Sequence, residues 1–169
     1  MIQLTIRSLA AADRDPAVNV INTAARWYGD FLPPEDLHDP EMTAAQWEDE
    51  ARCLAWYGGF VDGVLVGVMG LEHARDAALL RHAYILPGHQ HHGIGLRLVE
   101  HLELVTRRDA DARGVRRIIV GTYARNYKAR GALEKAGYRL SEDSAAVLRA
   151  YYAIPEDRLR ASVTYEKPT

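Results

Sequence analysis

Cysteine is almost absent: Cys53 is the one such residue among 169. That excludes an internal disulfide and any multi-cysteine metal site, and makes a cytoplasmic setting the expectation. No apolar run approaches the ~18–20 residues that a membrane helix needs. The start, Met1-Ile2-Gln3-Leu4-Thr5-Ile6-Arg7, lacks the basic opening and long apolar stretch of a secretory leader. Net charge is scarce as well, −2 at pH 7, which argues against a general polyanion binder; neither nucleic acid nor a membrane is expected as a partner. The dinucleotide fingerprint Gly-x-Gly-x-x-Gly and the P-loop Gly-Lys-Ser/Thr are both missing.

What is present is ordinary globular composition, 48% hydrophobic and 26% charged, on a length that fits one domain over residues 1–169 with a real core. The charge is unevenly placed. Between Trp27 and Ala51 stand eight acids and no Lys or Arg; from Arg81 to Arg139 stand twelve basic residues against five acids. One region repels anions and another attracts them, or the two are simply solvated faces of opposite sign.

Ile2, Leu4 and Ile6 alternate with polar residues, as in a half-buried strand. Asp15-Pro16 reads as an N-cap with proline in the first helical position, opening a helix that runs to about Gly29. Residues 30–41 carry three prolines and read as a loop. Thr43-Ala44-Ala45-Gln46 has the form of a capping box, starting a second helix that ends near Arg52. Strands follow over 54–61, 64–72 and 78–86. Asp62-Gly63 turns the first into the second, and residues 73–77 join the second to the third. A helix spans about 93–112 and stops at Gly114. A strand covers 115–122, a helix capped by Asn126 ends at Gly137, and a strand opens at 138–140. Residues 144–154 fit either a helix or an ordered loop, and 159–167 read as the last strand. Hairpins mixed with helical crossovers give an α+β protein with a mixed sheet.

The most informative stretch is Ile85-Leu86-Pro87-Gly88-His89-Gln90-His91-His92-Gly93-Ile94-Gly95. It joins an apolar strand to an amphipathic helix. Glycines there let the backbone approach a ligand, and the first helical amides have no intrahelical acceptor; with the helix dipole they suit phosphate oxygens. Arg97 adds charge nearby. Glycines that only tighten a turn are the plainer alternative. His89, His91 and His92 invite a metal reading, but the loop holds no carboxylate, so no metal is expected. Cys53, Trp47 and Trp56 read as core, and Arg107-Arg108 as a solvated helix face.

Gln90-x-x-Gly93-x-Gly95 after Ile85-Leu86-Pro87, followed by Asn126-x-x-Ala129 and later Lys135-x-Gly137-Tyr138, resembles the GNAT superfamily of acyl-CoA-dependent N-acyltransferases. The element order agrees over nearly the whole chain. The resemblance implies a mostly antiparallel central sheet with helices on both faces. It implies acetyl-CoA as co-substrate, with the diphosphate on the amides of His91, His92, Gly93, Ile94, Gly95 and Leu96 and Gln90 among the cofactor-binding residues. It also implies the pantetheine arm paired along Ile85, Asn126 bonded to that arm, and a parting of the strands that end at Leu86 and begin near Val115. A main-chain amide near Ile85 would polarise the acyl carbonyl. Direct attack by an amine is implied, with no acyl-enzyme.

The pattern departs from the family at two points. The tyrosine seven residues after the asparagine, which protonates the leaving thiolate, is replaced by Leu133. Tyr123, Tyr151 and Tyr152 are candidate substitutes, and packing is the alternative for each. On strict alternation the face shared by Ile85 holds Leu79, Arg81 and Ala83, none of them a base, and His82 points the other way. Glu72, or His73 beside it, is then the candidate base. The resemblance implies that the acidic segment walls the acceptor site, and its Trp27, Tyr28, Asp30 and Phe31 would then suit a small cationic amine. A homodimer formed through the apolar last strand is a further expectation. Two competing expectations remain: a CoA-binding module without catalysis, which the missing tyrosine favours, and a nucleotide-binding regulator.

Overall fold

The computed structural model describes residues 3–169; Ile2 lies outside them, and so does the side chain of Tyr28. Strand β1 (Leu4–Ser8) is followed by helices α1 (Arg14–Ala25) and α2 (Ala44–Glu50). Strands β2 (Leu54–Val61), β3 (Val64–Ala74) and β4 (Ala77–Ile85) form an antiparallel meander. Helix α3 (Ile94–Arg113), strand β5 (Arg117–Tyr123), helix α4 (Tyr127–Lys135) and the two-residue strand β6 (Arg139–Leu140) come next. Helices α5 (Ser144–Tyr151) and α6 (Glu156–Ala161) precede the last strand, β7 (Ser162–Pro168). Among the described residues seven strands make one sheet in the order β1-β2-β3-β4-β5-β7-β6, in which only β4 and β5 run parallel. This is the expected α+β sheet, mostly antiparallel.

Helices cover both faces, because each strand alternates its apolar side chains between them. Against one face pack Ile94, Leu98, Val99 and Leu102 of α3 and Leu133 of α4, over Met69, Leu71, Leu80, Ile118 and Tyr165 of the sheet. Against the other pack Val20, Ile21 and Ala24 of α1 and Trp47 of α2, over Trp56, Val68 and Tyr84. Leu148, Tyr152 and Leu159 of the C-terminal helical segment complete that second face over Ala77, Leu79 and Ile119. Trp47 and Trp56 stack at 5.5 Å, as core residues should.

Several local expectations are corrected. Helix α1 begins at Arg14, so Asp15 is not its cap; Asp13 precedes it and spends its carboxylate on Arg7 and the Ala10 amide. The same helix ends at Ala25, and the chain turns through 28–30 instead of continuing to Gly29. Cys53 is exposed because it lies in the turn between α2 and β2, outside any strand alternation. Residues 144–151 are helical, and so are residues 156–161, part of which the apolar pattern assigned to the last strand. Acids at Glu156 and Asp157 and arginines at 158 and 160 complement the dipole of that short helix. Strand β7 lies between β5 and the short β6, which pairs with it only at Tyr165 and Glu166.

Candidate active site

The site begins where a strand ladder stops. β4 and β5 pair in parallel from Ala77↔Arg117 to Leu80↔Val120 and no further, although β4 continues to Ile85 and β5 to Tyr123. The two strands therefore part, and the gap opens toward the loop before α3. Tyr152 sits at the vertex, buried. Its hydroxyl lies 3.2 Å from the Ile119 carbonyl and 3.5 Å from that of Leu80, and burial raises its phenol. Carbonyls at the last rungs of the ladder are thus met by a side chain.

One side of the parting is a cavity of about 440 Å³. It is lined by Ile85, Gln90, His91, Gly93, Ile94, Gly95, Leu96, Asn126, Ala129 and Leu133, among others. Here the backbone makes the surface. His91 and Gly93 both have left-handed φ, +65° and +78°. Gly93 caps α3 with no side-chain bond, and a Cβ there would meet no atom within 4 Å. The first amide to close a helical bond onto the loop is that of Arg97, to Gly93 O at 3.0 Å, so the amides of Ile94, Gly95 and Leu96 have no helical acceptor. Gln90 turns its side chain inward and donates to the Ile85 carbonyl at 3.1 Å, fastening the loop to the strand. Because Leu86 N–H reaches Val66 O on β3, the amide of Ile85 points to the opposite edge of β4, into the parting. Gly67 of β3 makes room for Ile85, since a Cβ there would lie 2.6 Å from Ile85 Cδ1. Asn126 caps α4 by accepting from the Ala129 amide at 3.2 Å.

The other side is a cavity of about 490 Å³ that shares Ala83, Tyr84, Ile85, Gly95, Gly121, Thr122, Asn126 and Ala129 with the first. The two are halves of one cleft passing between β4 and β5. This half is made of side chains: His38, Glu41, Glu50, Arg81, His82, Tyr123, Tyr152 and Arg158. Arg81 donates to Glu72 at 2.7 Å and reaches Glu50 at 3.4 Å. His82 Nε2 stands 3.5 Å from Glu50 Oε1, buried and without a well-formed hydrogen bond, with its ring 5.4 Å from that of Trp56. The His82 contact, then the Arg81 charge, hold the Glu50 carboxyl below its ordinary range. Arg158 donates to Glu41 at 2.9 Å and to the Tyr123 hydroxyl, and Tyr84 donates to Glu41 at 3.4 Å. Burial pushes the Tyr123 phenol up to about 12.

Among the expected residues, Ile85, Gln90, His91, Gly93, Ile94, Gly95, Leu96 and Asn126 come together around the first half; His92 lies in the same loop. Trp27, Asp30 and Phe31, expected on the acceptor wall, line the first half too, because α1 ends early and the chain turns there. Phe31 also stacks on Tyr123 at 5.9 Å, at the junction of the halves. Glu72 lines neither half, and its carboxylate is engaged by Arg81. Tyr151 lies away from the cleft, between Asp76 and Arg117.

His82, Glu41, Glu50 and Arg158 escaped the sequence. His82 has φ +56°, and the β3–β4 register slips there: Val68 faces Tyr84 but Gly70 faces Arg81. This bulge puts Arg81 and His82 on the same side, both against Glu50. Alternation counted back from Ile85 therefore fails at Arg81 and Leu79.

Residues 21–138 match the family model for the Acetyltransferase (GNAT) family. The chain belongs to that family. It is accordingly an acetyltransferase that uses acetyl-CoA. No curated protein matches the sequence. Among solved structures it is similar to the PaiA N-acetyltransferase of Thermoplasma acidophilum in complex with coenzyme A, at 17% identity and a TM-score of 0.75, covering 99% of both chains. It is also similar to the ribosomal-protein-S18-alanine N-acetyltransferase of Escherichia coli, at 18% identity and a TM-score of 0.67, covering 98% of this chain and 94% of that one. A GNAT-family acetyltransferase of Staphylococcus aureus matches at 12% identity and a TM-score of 0.71, over 98% of this chain and 99% of that one. Among the described residues no helix is long and apolar enough to cross a membrane, and no three metal-ligating side chains cluster.

Proposed function

We propose that this enzyme transfers the acetyl group of acetyl-CoA to a small primary amine by direct attack. The observation that carries the reading is the parting of β4 and β5 beside the uncapped start of α3. An extended acyl carrier fits along the Ile85 edge from one side, and an acceptor reaches the same point from the other. The amides of Ile94, Gly95 and Leu96 suit the diphosphate, the Ile85 edge suits the pantetheine arm, and the Asn126 side-chain amide suits its polar end. A main-chain N–H of β4 in the parting is placed to stabilise charge that develops on the carbonyl oxygen.

The amine must first lose a proton, since an alkyl ammonium has a pKa of ~10.4. His82 answers this need better than Glu72. With the proton on Nε2, 3.5 Å from Glu50, Nδ1 would hold the lone pair, and the nearby carboxylate would favour the imidazolium that forms. We assign His82 as proton acceptor and Glu50 as its positioning partner. A phenol at about 12 is a weak acid, so Tyr123 serves to anchor Arg158, and the thiolate leaves without it. Acids and arginines balance on the acceptor side, so its preference rests on the amine's shape and placement as well as its charge.

The test joins acetyl-CoA binding to thiol release across a panel of primary amines. Binding with saturable release on at least one amine is expected. Tight binding with no release on any amine, in a protein whose His82 is intact, overturns the reading.

A further inference from the structure

Resting on the assignment of the second half-cleft to the acceptor, a separate feature stands out in how that half is closed. Its rim consists of two segments far apart in the chain, residues 38–42 on one side and 153–158 on the other. An ion pair and a histidine–carboxylate contact join them. Arg158, buried on α6, binds Glu41 and also donates to the Asp36 carbonyl at 3.3 Å; His38 Nε2 lies 3.0 Å from Asp157 Oδ2. The inner pair extends to both arms of the parted sheet, to Tyr84 of β4 through Glu41 and to Tyr123 of β5 directly. Glu41, His38, Tyr123 and Arg158 line the acceptor half and not the cofactor half.

We infer that Arg158 is a positioning residue of the acceptor site, strapping residues 34–42 to α6 so that the acceptor is held at a fixed width between the strands. The physical reason lies in the partners. Before Met42, whose main chain is bonded to Asn22, the proline-rich loop makes few backbone bonds, those of Asp36 and Leu37 closing only local turns, and a buried guanidinium is costly unless acceptors meet it. Met42 is anchored separately to Asn22 of α1 and Leu159 of α6 to the core, so the Arg158 contacts act on the stretch between Asp36 and Glu41. Access to the acceptor half is thereby set by a contact that never touches the acyl carrier.

The test uses the full chain and the variants R158A, R158K and H38A. Backbone hydrogen exchange is read over residues 34–42 and, for comparison, 91–98. In R158A, exchange in 34–42 rises at least tenfold while 91–98 is unchanged. The Michaelis constant for the amine rises at least tenfold, and that for acetyl-CoA stays within twofold. Selectivity for butylamine over the bulkier benzylamine falls at least fivefold. R158K recovers part of each effect, and H38A shows the same pattern two- to threefold. Should R158A not fold, R158K and H38A carry the same comparison at smaller size. Unchanged exchange in 34–42, or equal rises in both Michaelis constants, overturns the assignment. If the wild type binds acetyl-CoA but acetylates no amine, the proposed reaction fails instead, and the exchange measurement still decides the role of Arg158.

Discussion

The two halves of the cleft are built by different means. The cofactor half is made largely of main chain: an uncapped helix start, two left-handed loop residues and a strand edge that has lost its neighbour. The acceptor half is made of side chains from α2 and the loop before it, from β4, β5 and α6, held by a web of charged contacts. A main-chain surface needs only that certain residues be glycine and that a helix begin at the right place. A side-chain surface needs distant segments to meet. The first half suits a ligand common to the whole family, and the second suits one that varies from member to member.

The sharpest way to break this comparison is to attack the backbone itself. Valine at Gly93 would have to adopt φ +78°, where a β-branched residue is strained by ~1–3 kcal/mol, and relief of that strain turns the amides away. Each charge-assisted bond to phosphate is worth ~1.5–3 kcal/mol, so losing two of them weakens acetyl-CoA binding by ~100-fold or more. Valine at Gly95 places its branches beside Ile85, whose Cγ1 lies 3.9 Å from the new Cβ, and acts in the same direction. Alanine at Gly88, where a Cβ meets nothing within 4 Å and φ is ordinary, is the control. Calorimetric titration of acetyl-CoA into folded variants checks all three. Unaltered affinity in both valine variants removes the main-chain site.

The next largest effect belongs to the acceptor half. H82Q keeps a polar side chain but cannot take the proton, and general-base loss typically costs ~10²–10⁴ in rate. We expect kcat/KM for the amine to fall by at least ~10², with acetyl-CoA affinity unchanged and the rise in rate with pH flattened. E50Q should fall less, because it removes the partner and not the acceptor. An H82Q variant with wild-type turnover would return the proton to water.

The contrast also explains how much could be read beforehand. Gln90, Gly93, Gly95 and Asn126 stand out because two spaced motifs, one at each helix start, narrow the reading more than either does alone. Burial of Trp47 and Trp56 and the order of the strands followed from periodicity. The acceptor half stayed hidden for three physical reasons. A single extra residue at His82 reverses alternation, and no residue type marks it, since the bulge uses histidine where glycine is commoner. Arg158 lies in a stretch whose apolar residues fit a strand as well as a short helix. Glu41 and Glu50 were indistinguishable from six other acids until the fold paired each with a buried arginine.

A smaller effect sharpens the vertex between the halves. Y152F removes the hydroxyl beside the Ile119 and Leu80 carbonyls and leaves a buried acceptor short of a partner, worth ~1–3 kcal/mol. For a chain of this length each kcal/mol lowers Tm by ~2–4 °C. Y151F, whose hydroxyl bridges Asp76 and Arg117 away from the cleft, should cost less stability and leave both Michaelis constants unchanged. If Y152F alters neither stability nor the acceptor constant, the vertex is held by apolar packing and the ladder alone.

The smallest expected effect concerns the charge web. The Glu50 carboxyl titrates lower in the folded chain than in the unfolded one, first through His82 and then through Arg81. A depressed carboxyl stabilises the fold above its unfolded value, ~4.3 for glutamate, and loses that contribution as pH falls through the folded value. The stability gap between the wild type and E50Q should therefore be full at pH 7 and narrow steadily below about pH 4. Urea unfolding of both proteins at pH 7 and pH 3 measures it. A gap that widens on acidification would mean that Glu50 is an uncompensated buried acid, and the His82 assignment would lose its carboxylate partner. A gap that narrows on schedule while H82Q shows the larger kinetic loss would separate the two roles within one pair: His82 acts on the acceptor, and Glu50 acts on His82.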